Sequence, residues 1–209
     1  MSLEFKDLDK TDFECWQMDD GSVYYGQIAY VDQDNKIVED VEEAKRQLEE
    51  QQQENEDPDQ EQPEPKFKKV RHGLGVNCYG RSEGEDILCK YEGNWDRDRK
   101  TGEGFLVFPD GSTYKGSFKN DIIDGFGIFE WRHYGHRYEG NWKDGLMEGG
   151  GEFYHTTGRK IKGSFINNYH NFGGMFINPF MSEEQVQAYL MKCEAYKIKM
   201  EKPNQEPFD

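Results

Sequence analysis

The chain has no long apolar run. None of its 209 residues lies in a stretch approaching the roughly 20 apolar residues that a membrane-spanning helix needs. The N-terminus also lacks the apolar centre of a signal peptide. We therefore expect neither a membrane span nor secretion, and a cytoplasmic location.

Cysteine and histidine are scarce. The 4 cysteines are Cys15, Cys78, Cys89 and Cys193. Their wide separation favours the reduced thiols of a cytosolic protein, although their even number is also compatible with disulfides. Among the 5 histidines only His133 and His136 are close in sequence, and no nucleophile motif accompanies them. The sequence therefore predicts no metal site, no cofactor, no catalytic residue and no enzyme activity.

The chain has fewer basic than acidic residues, and the difference is confined to one part of the sequence. The chain has 26 Lys and Arg against 42 Asp and Glu, a net charge of −16. Residues 66–209 hold 21 of each sign, so the excess lies in residues 1–65, and chiefly in residues 31–65. Because Lys and Arg supply most of the attraction to nucleic acid and to anionic lipid, the sequence predicts no nucleic-acid partner and argues against membrane binding.

A tyrosine followed two residues later by glycine recurs through the middle of the chain. It appears at Tyr91, Tyr114 and Tyr138, with Ile161 as a degenerate fourth copy, at spacings of 23, 24 and 23 residues. A period of this size indicates a small supersecondary unit that must stack on its neighbours to bury an apolar face.

Each copy has the pattern of a β-hairpin. A large ring stands four residues after the first position, a glycine stands thirteen residues after it, and a polar, turn-prone stretch separates the two halves. The rings are Trp95, Phe118, Trp142 and Phe165, and the glycines are Gly104, Gly127, Gly151 and Gly174. Residues two apart share a face of a strand, so the tyrosine, the next glycine and the ring should face one side. Because the glycines recur with no helix after them, we expect them to make room for a ring and not to bind phosphate.

The run Tyr91-Glu92-Gly93-Asn94-Trp95, a polar turn, Gly102-Glu103-Gly104 and then Asp110-Gly111 resembles the MORN repeat, and four consecutive copies cover residues 89–178. The resemblance implies a mainly β protein, a single-layer solenoid of about five stacked β-hairpins. A C-terminal α-helix and a helical acidic insertion would be added to it.

The resemblance also implies a function. Small proteins of such repeats resemble components of cilia and flagella, including the radial-spoke head of the axoneme, and of other cytoskeletal complexes. We therefore expect a non-catalytic scaffold that binds other protein subunits of a large complex. Two alternatives stay open: a membrane-associated adaptor that binds phosphoinositides, and a regulatory subunit of an enzyme. The sequence defines neither the partners nor the oligomeric state.

The repeat pattern extends upstream of the four copies. The segment Asp20 to Gly26 mirrors the segment Asp110 to Gly116, so Tyr24 begins another repeat and residues 13–18 form half of one before it. The strand partner of Tyr24 would be residues 73–76, across an insertion of about 38 residues that a hairpin tolerates. We expect residues 1–30 to hold the half-repeat and first strand, residues 31–70 the insertion, residues 71–180 the array and residues 181–203 a helix.

The insertion and the C-terminus each contain a helical pattern. Val38, Val41, Ala44 and Leu48 have helical spacing, and residues 51–65 are rich in Gln, Glu and Pro. The insertion is either a solvated loop or an arm that docks onto a partner protein. Ser182-Glu183-Glu184-Gln185 is a capping box that opens the C-terminal helix. Its apolar stripe is Val186, Tyr189, Leu190, Cys193, Tyr196 and Met200. That stripe either covers the last repeat or binds a partner.

Two sets of residues are candidates for partner binding. The first is the ring row: Tyr91, Trp95, Tyr114, Phe118, Tyr138 and Trp142. The second set is expected on the opposite face of the second strands, at the two ends of the array: Phe105, Val107, Met175 and Ile177. The alternative for the rings is the core of the array itself. The alternative for the end positions is cover by the N-terminal arm and the C-terminal helix.

Overall fold

The computed structural model of the chain describes residues 13–54, 66–79, 89–172, 175–188 and 191. The first strands are β1 (Glu14–Gln17), β2 (Val23–Asp32), β3 (Phe67–Tyr79), β4 (Cys89–Asp96), β5 (Arg99–Val107) and β6 (Thr113–Lys119). The remaining strands are β7 (Ile122–Trp131), β8 (His136–Lys143), β9 (Leu146–Tyr154), β10 (Lys160–Ile166), β11 (Tyr169–Phe172) and β12 (Met175–Ile177). Helix α1 (Val41–Glu54) lies between β2 and β3, and residues 183–188 are also helical.

The strands form one antiparallel sheet. Across the described residues it has 12 strands in chain order, from β1 at one edge to β12 at the other. Neighbours in the chain are thus neighbours in space, as hairpins with short turns require. The prediction of a mainly β protein is confirmed.

Paired glycines mark the centre of each hairpin in the array. Gly93 lies opposite Gly104, Gly116 opposite Gly127, and Gly140 opposite Gly151. The tyrosine of each repeat lies flat across its glycine pair, and a Cβ built on Gly104 would be 2.6 Å from the ring of Tyr91. The same overlap with the repeat's own tyrosine would occur at Gly127 and Gly151. The glycines therefore make room for rings, which confirms the packing interpretation.

The hairpin turns use left-handed backbone conformations. Asn120 and Asp121 have φ values of 50° and 71°, and Arg97 and Asp98 have φ values of 46° and 70°. Two successive residues with positive φ are typical of the type I′ turn, whose twist matches that of the flanking strands. Asn and Asp tolerate this conformation better than most residues, which explains their recurrence at the turns.

The repeat that begins at Tyr24 is closed by β3. Gly26 lies opposite Gly75, and Tyr25 opposite Val76, although α1 and its flanking segments separate the two strands in sequence. The Tyr24 ring occupies the place where a side chain on Gly75 would be. Residues 73–76 are therefore the strand partner that the sequence predicts for Tyr24. On the other edge of β2, Trp16 of β1 lies opposite Tyr24.

The fourth repeat differs from the prediction. The sequence pattern places Met175 and Ile177 on the outward face, whereas Ile177 lies opposite His170, which itself lies opposite Phe165 of the ring row. Ile177 is 6% exposed, so its predicted outward position is wrong. Met175 pairs with Phe172, and its side chain lies outside the described atoms.

This difference in the fourth repeat is explained by the residue eleven positions after the start of each copy. Three copies have a glycine there, with φ values of 57° at Gly102, 111° at Gly125 and 80° at Gly149. The fourth copy has Phe172, a residue that rarely adopts positive φ. The second strand is accordingly divided into β11 and β12, which pair with each other.

The segment after β12 folds back onto the ring side of the sheet. The ring of Phe180 lies 5.1 Å from the rings of Trp131 and Phe153 and 5.6 Å from that of His136. Arg159 donates a hydrogen bond to the carbonyl of Met181 at 2.6 Å. These contacts attach residues 178–181 to the middle of the array.

The predicted capping box is present at the start of the C-terminal helix. The Ser182 amide donates to Gln185 Oε1 at 2.9 Å, and the Gln185 amide donates to Ser182 Oγ at 3.2 Å. Val186 is half-buried. The other members of the predicted apolar stripe, Tyr189, Leu190, Cys193, Tyr196 and Met200, lie outside the described residues, so its role stays a prediction.

Candidate functional site

The ring row forms the core of the sheet. Tyr91, Tyr114 and Tyr138 are 0% exposed, and Trp95, Phe118 and Trp142 are 2%, 4% and 6% exposed. Edge-to-face contacts join successive repeats, with centroid distances of 5.1 Å for Tyr91 and Phe118 and 5.7 Å for Tyr114 and Trp142. Aromatic pairs favour this geometry. In the structure these six side chains therefore pack against the array itself and do not line an accessible groove.

The tyrosine hydroxyls have a repeated structural task. Each donates to the main-chain carbonyl three residues later: Tyr91 to Asn94 at 3.0 Å, and Tyr138 to Asn141 at 3.1 Å. Tyr24 and Tyr114 make the same bond, to Gln27 and Ser117. Burial raises the pKa of Tyr138 to about 12 and raises those of the other three as well. The phenol groups are therefore uncharged hydrogen-bond donors that bind the main chain three residues later in sequence.

The face opposite the ring row, which we call the outer face, alternates apolar and charged side chains from strand to strand. One row of directly paired residues on it is Val76, Glu92, Phe105, Lys115, Ile128, Glu139, Glu152 and Lys162. Phe105 and Val107, two of the predicted binding residues, are half-buried on this face. They are accessible to a partner, in contrast to the ring row.

Towards the C-terminal end the outer face is a network of ion pairs. Glu152 contacts Lys160 at 2.6 Å and Lys162 at 2.8 Å, and the Tyr154 hydroxyl donates to it at 2.6 Å. Hydrogen bonds from Lys160, Lys162 and Tyr154 hold the pKa of Glu152 at about 2. These four side chains therefore satisfy one another.

Between β2 and β7 the outer face carries more exposed apolar side chains. Phe126 is 54% exposed, Tyr25 is 45% exposed, and Ile128 is half-buried. The sequence reasoning did not select Phe126, which stands between Gly125 and Gly127. The signal was available, because among the four consecutive copies this position otherwise holds Glu103, Gly150 or Gly173; in the repeat that begins at Tyr24 it holds the apolar Leu74.

The comparison with protein families agrees with the geometry of the array. Residues 91–113, 114–132 and 138–158 match the MORN repeat. Each matched segment contains one of the units described above, a tyrosine across a glycine pair. The chain is a MORN-repeat protein.

One curated human protein is similar to a short stretch of this chain. The chain is similar to the ALS2 C-terminal-like protein of Homo sapiens, with 42% identity over 48 residues. The similar stretch is 23% of this chain and 5% of the human protein. The chain therefore matches only a small share of that relative's length. MORN repeats, which this chain contains, are in general protein-interaction modules.

A cleft lies where α1 meets the start of the MORN array. It has a volume of about 460 Å³ and is lined by Glu14, Trp16, Tyr30, Lys45, Leu48, Glu49 and Lys69. Lys69 forms an ion pair with Glu14 at 2.7 Å and lies 5.1 Å above the Trp16 ring. The charged groups that the sheet contributes to this cleft therefore satisfy each other, while Lys45, Leu48 and Glu49 of α1 line its other side.

Two histidines that are distant in sequence contact each other in the structure. His136 packs against His155, with ring centroids 4.3 Å apart, and not against His133, its neighbour in sequence. Burial lowers the pKa of both His136 and His155. In the described part of the MORN protein no cluster of three or more His, Cys, Asp or Glu side chains is arranged to hold a metal ion. Over the same residues, no helix has the length and apolarity to cross a bilayer.

Proposed function

We propose that this MORN-repeat protein is a non-catalytic scaffold subunit that binds other proteins through the outer face of its sheet. The observation that supports this most is the contrast between the two faces. The ring row is buried in the core, whereas Phe126 and Tyr25 are exposed on the opposite face. Phe126 lies on the same face of β7 as the half-buried Ile128, and contiguous exposed apolar surface is typical of contact sites.

The architecture suits a scaffold because it is extended. If the hairpins stack as a solenoid, 12 strands at the usual spacing give a platform about 50 Å across. The rings and glycines keep successive hairpins in fixed register, so several partners would be held at set distances. The acidic arm that contains α1 is then a separate attachment point beside the array.

We place this scaffold in a ciliary or other cytoskeletal assembly, such as the axoneme. The support is the resemblance of the array to small MORN-repeat proteins of cilia, which is an argument by analogy because a fold does not fix a function. The neutral charge of residues 66–209 supports a protein partner over an anionic membrane surface.

The test is cross-linking mass spectrometry on the native assembly, purified with the tagged full chain expressed at its normal level. We expect cross-links from outer-face lysines, such as Lys115 and Lys162, to other proteins, and co-localisation of the tag with the axoneme or cytoskeleton. Recovery of the chain only as a free monomer would contradict the proposal. Strong flotation with phosphoinositide-containing liposomes at physiological salt would favour the membrane adaptor instead.

A further inference from the structure

Lys115 stands on the outer face between two apolar side chains. In the register of the sheet it lies directly opposite Phe105 on one side and Ile128 on the other. The Cβ atoms of such pairs are about 5 Å apart, so both neighbours flank the lysine side chain. Phe126 is two residues before Ile128 on the same face of β7, and Val107 is two residues after Phe105 on the same face of β5. We call these five residues the Lys115 patch.

Among the described residues Lys115, like Lys119 on the same strand, has no carboxylate partner, whereas three other cations of the outer face do. Lys90 contacts Glu92 at 3.0 Å, Arg137 contacts Glu139 at 2.7 Å, and Lys162 contacts Glu152 at 2.8 Å. Lys115 is exposed and makes no ion pair with any residue that the structure describes. The patch therefore presents an ammonium group without an ion pair among the described residues, directly opposite apolar side chains on both neighbouring strands. The carboxylate of Glu103, diagonally across on the same face, accepts a hydrogen bond from Ser117 Oγ at 2.6 Å.

We propose that the Lys115 patch binds an acidic amphipathic segment of a partner protein. A carboxylate of that segment pairs with the Lys115 ammonium, while apolar side chains on both sides of it cover Phe105, Phe126 and Ile128. The proposal rests on the scaffold function and specifies which kind of partner the outer face takes.

The chemistry of the patch selects this partner. Covering Phe126 and Ile128 with apolar groups also removes water from Lys115, and a desolvated charge without a partner is costly. A carboxylate at that position removes the cost, whereas a neutral or basic residue does not, so the charge sets specificity and the apolar side chains supply most of the affinity. A lipid surface is a poorer fit, since anionic bilayers attract clusters of cations and the patch has one.

The test is a selection from a library of displayed random peptides with three forms of the full chain: unmodified, Lys115→Glu and Lys119→Glu. Lys119 is the matched control, because it is an exposed lysine on the same strand but next to the turn at Asn120. We expect the unmodified chain and Lys119→Glu to enrich Asp or Glu flanked by apolar residues. Lys115→Glu should enrich Lys or Arg at that position instead. Circular dichroism verifies that all three forms are folded.

Affinity of one enriched peptide gives the second readout. Measured by fluorescence anisotropy, its Kd should rise about tenfold or more in Lys115→Glu and in Phe126→Ser and should not change in Lys119→Glu. Identical peptide selection by all three forms would overturn the inference. So would peptide-dependent protection from hydrogen exchange on another surface, or Lys115-dependent binding to phosphatidylcholine–phosphatidylserine vesicles in place of peptides.

The native assembly separates this inference from the scaffold function. If cross-links place every partner away from the Lys115 patch, the docking inference fails and the scaffold function stands. If the chain is a free monomer in cells, the scaffold function fails whatever peptides the patch selects.

Discussion

Lys100 and Asp121 exchange two hydrogen bonds across the boundary between two repeats. The Asp121 amide donates to the Lys100 carbonyl at 3.0 Å, and the Lys100 amide donates to Asp121 Oδ1 at 2.9 Å. Asn168 makes the same exchange with Met147, at 3.1 Å and 2.8 Å. At the corresponding turn Gly145 has no side chain; its amide donates to the Ile123 carbonyl at 2.9 Å, and the Asp144 amide donates to Asp124 Oδ2 at 3.4 Å. The turn of one hairpin is thus fastened to the hairpin before it.

Replacing Asp121 tests the contribution of the side-chain half of this exchange. Asp121→Gly keeps the positive φ without strain but removes the acceptor, so we expect the free energy of unfolding to fall by about 1 kcal/mol. Asp121→Asn retains an acceptor and should cost less. Urea denaturation followed by circular dichroism measures both. Equal stability of the two variants would show that the side-chain bond does not matter.

The glycine under Tyr114 is predicted to be irreplaceable. In Gly127→Ala the new methyl group overlaps the Tyr114 ring, which has no free space to move into, so we expect a loss of about 3 kcal/mol or failure to fold. Gly150→Ala is the matched control, because its Cβ would meet only Asn141 Nδ2, at 3.8 Å. That control should stay within about 0.5 kcal/mol of the unmodified chain. Thermal unfolding measures the stability of both variants. A stable Gly127→Ala protein would show that the Tyr114 ring does not need the space above Gly127.

Removing the Tyr138 hydroxyl tests the bond that fastens the tyrosine to its own strand. Tyr138→Phe leaves the Asn141 carbonyl without its donor, and we expect a loss of about 1 kcal/mol. Tyr25→Phe, at a tyrosine that is 45% exposed, should have almost no effect. Chemical denaturation compares the two substitutions. If both variants lose the same amount, the hydroxyl bond is not the cause.

Alkaline pH is predicted to destabilise the sheet through the same phenols. Burial raises the pKa of Tyr138 to about 12, whereas a tyrosine of the unfolded chain titrates near 10. The folded state therefore holds this proton more tightly than the unfolded state. The resulting stability is complete below about pH 10 and is lost as the pH rises towards 12. Urea denaturation at a series of alkaline pH values measures this loss, and Tyr138→Phe should show a shallower decline. Parallel declines would contradict the prediction.

The contact of Phe180 with the array is predicted to stabilise the C-terminal part locally. Phe180→Ala removes the ring that packs on Trp131, Phe153 and His136, so amides of β9 and β10 should exchange faster with deuterium while those of β4 and β5 are unchanged. Tyr134→Ala is the control, because this ring is 64% exposed although it stacks on His136. Uniform acceleration along the chain in Phe180→Ala would argue against a local role.

The sequence predicts the array well where a motif repeats. The sequence pairs Tyr24 with Gly75 across a long insertion because each has the same neighbours as its counterparts in the array. The two residue types occur together because the tyrosine ring needs the space that the glycine leaves free. The ring row was identified for the same reason, but periodicity alone left open whether it formed core or groove. In the structure the rings of adjacent repeats contact and bury one another, so the ring row forms the core.

The sequence predicts less where one residue changes the register. Ile177 was placed on the wrong face because Phe172 takes the position of a positive-φ glycine, and a shift of one residue reverses every side chain after it. The contact of His136 with His155, at the open end of the β8–β9 hairpin, and the exposure of Phe126 involve positions outside the repeated motif. Those features require the three-dimensional structure.

The order of the strands also determines how the protein would respond to mechanical load. Backbone hydrogen bonds run perpendicular to the strands, so tension applied from β1 towards β12 pulls each bond along its own direction. Edge-to-face ring pairs such as Tyr91 with Phe118 cross the same boundaries and resist their separation. Beyond Phe165 the strands shorten to the 3 residues of β12, so an array stretched end to end would peel first from its C-terminal edge.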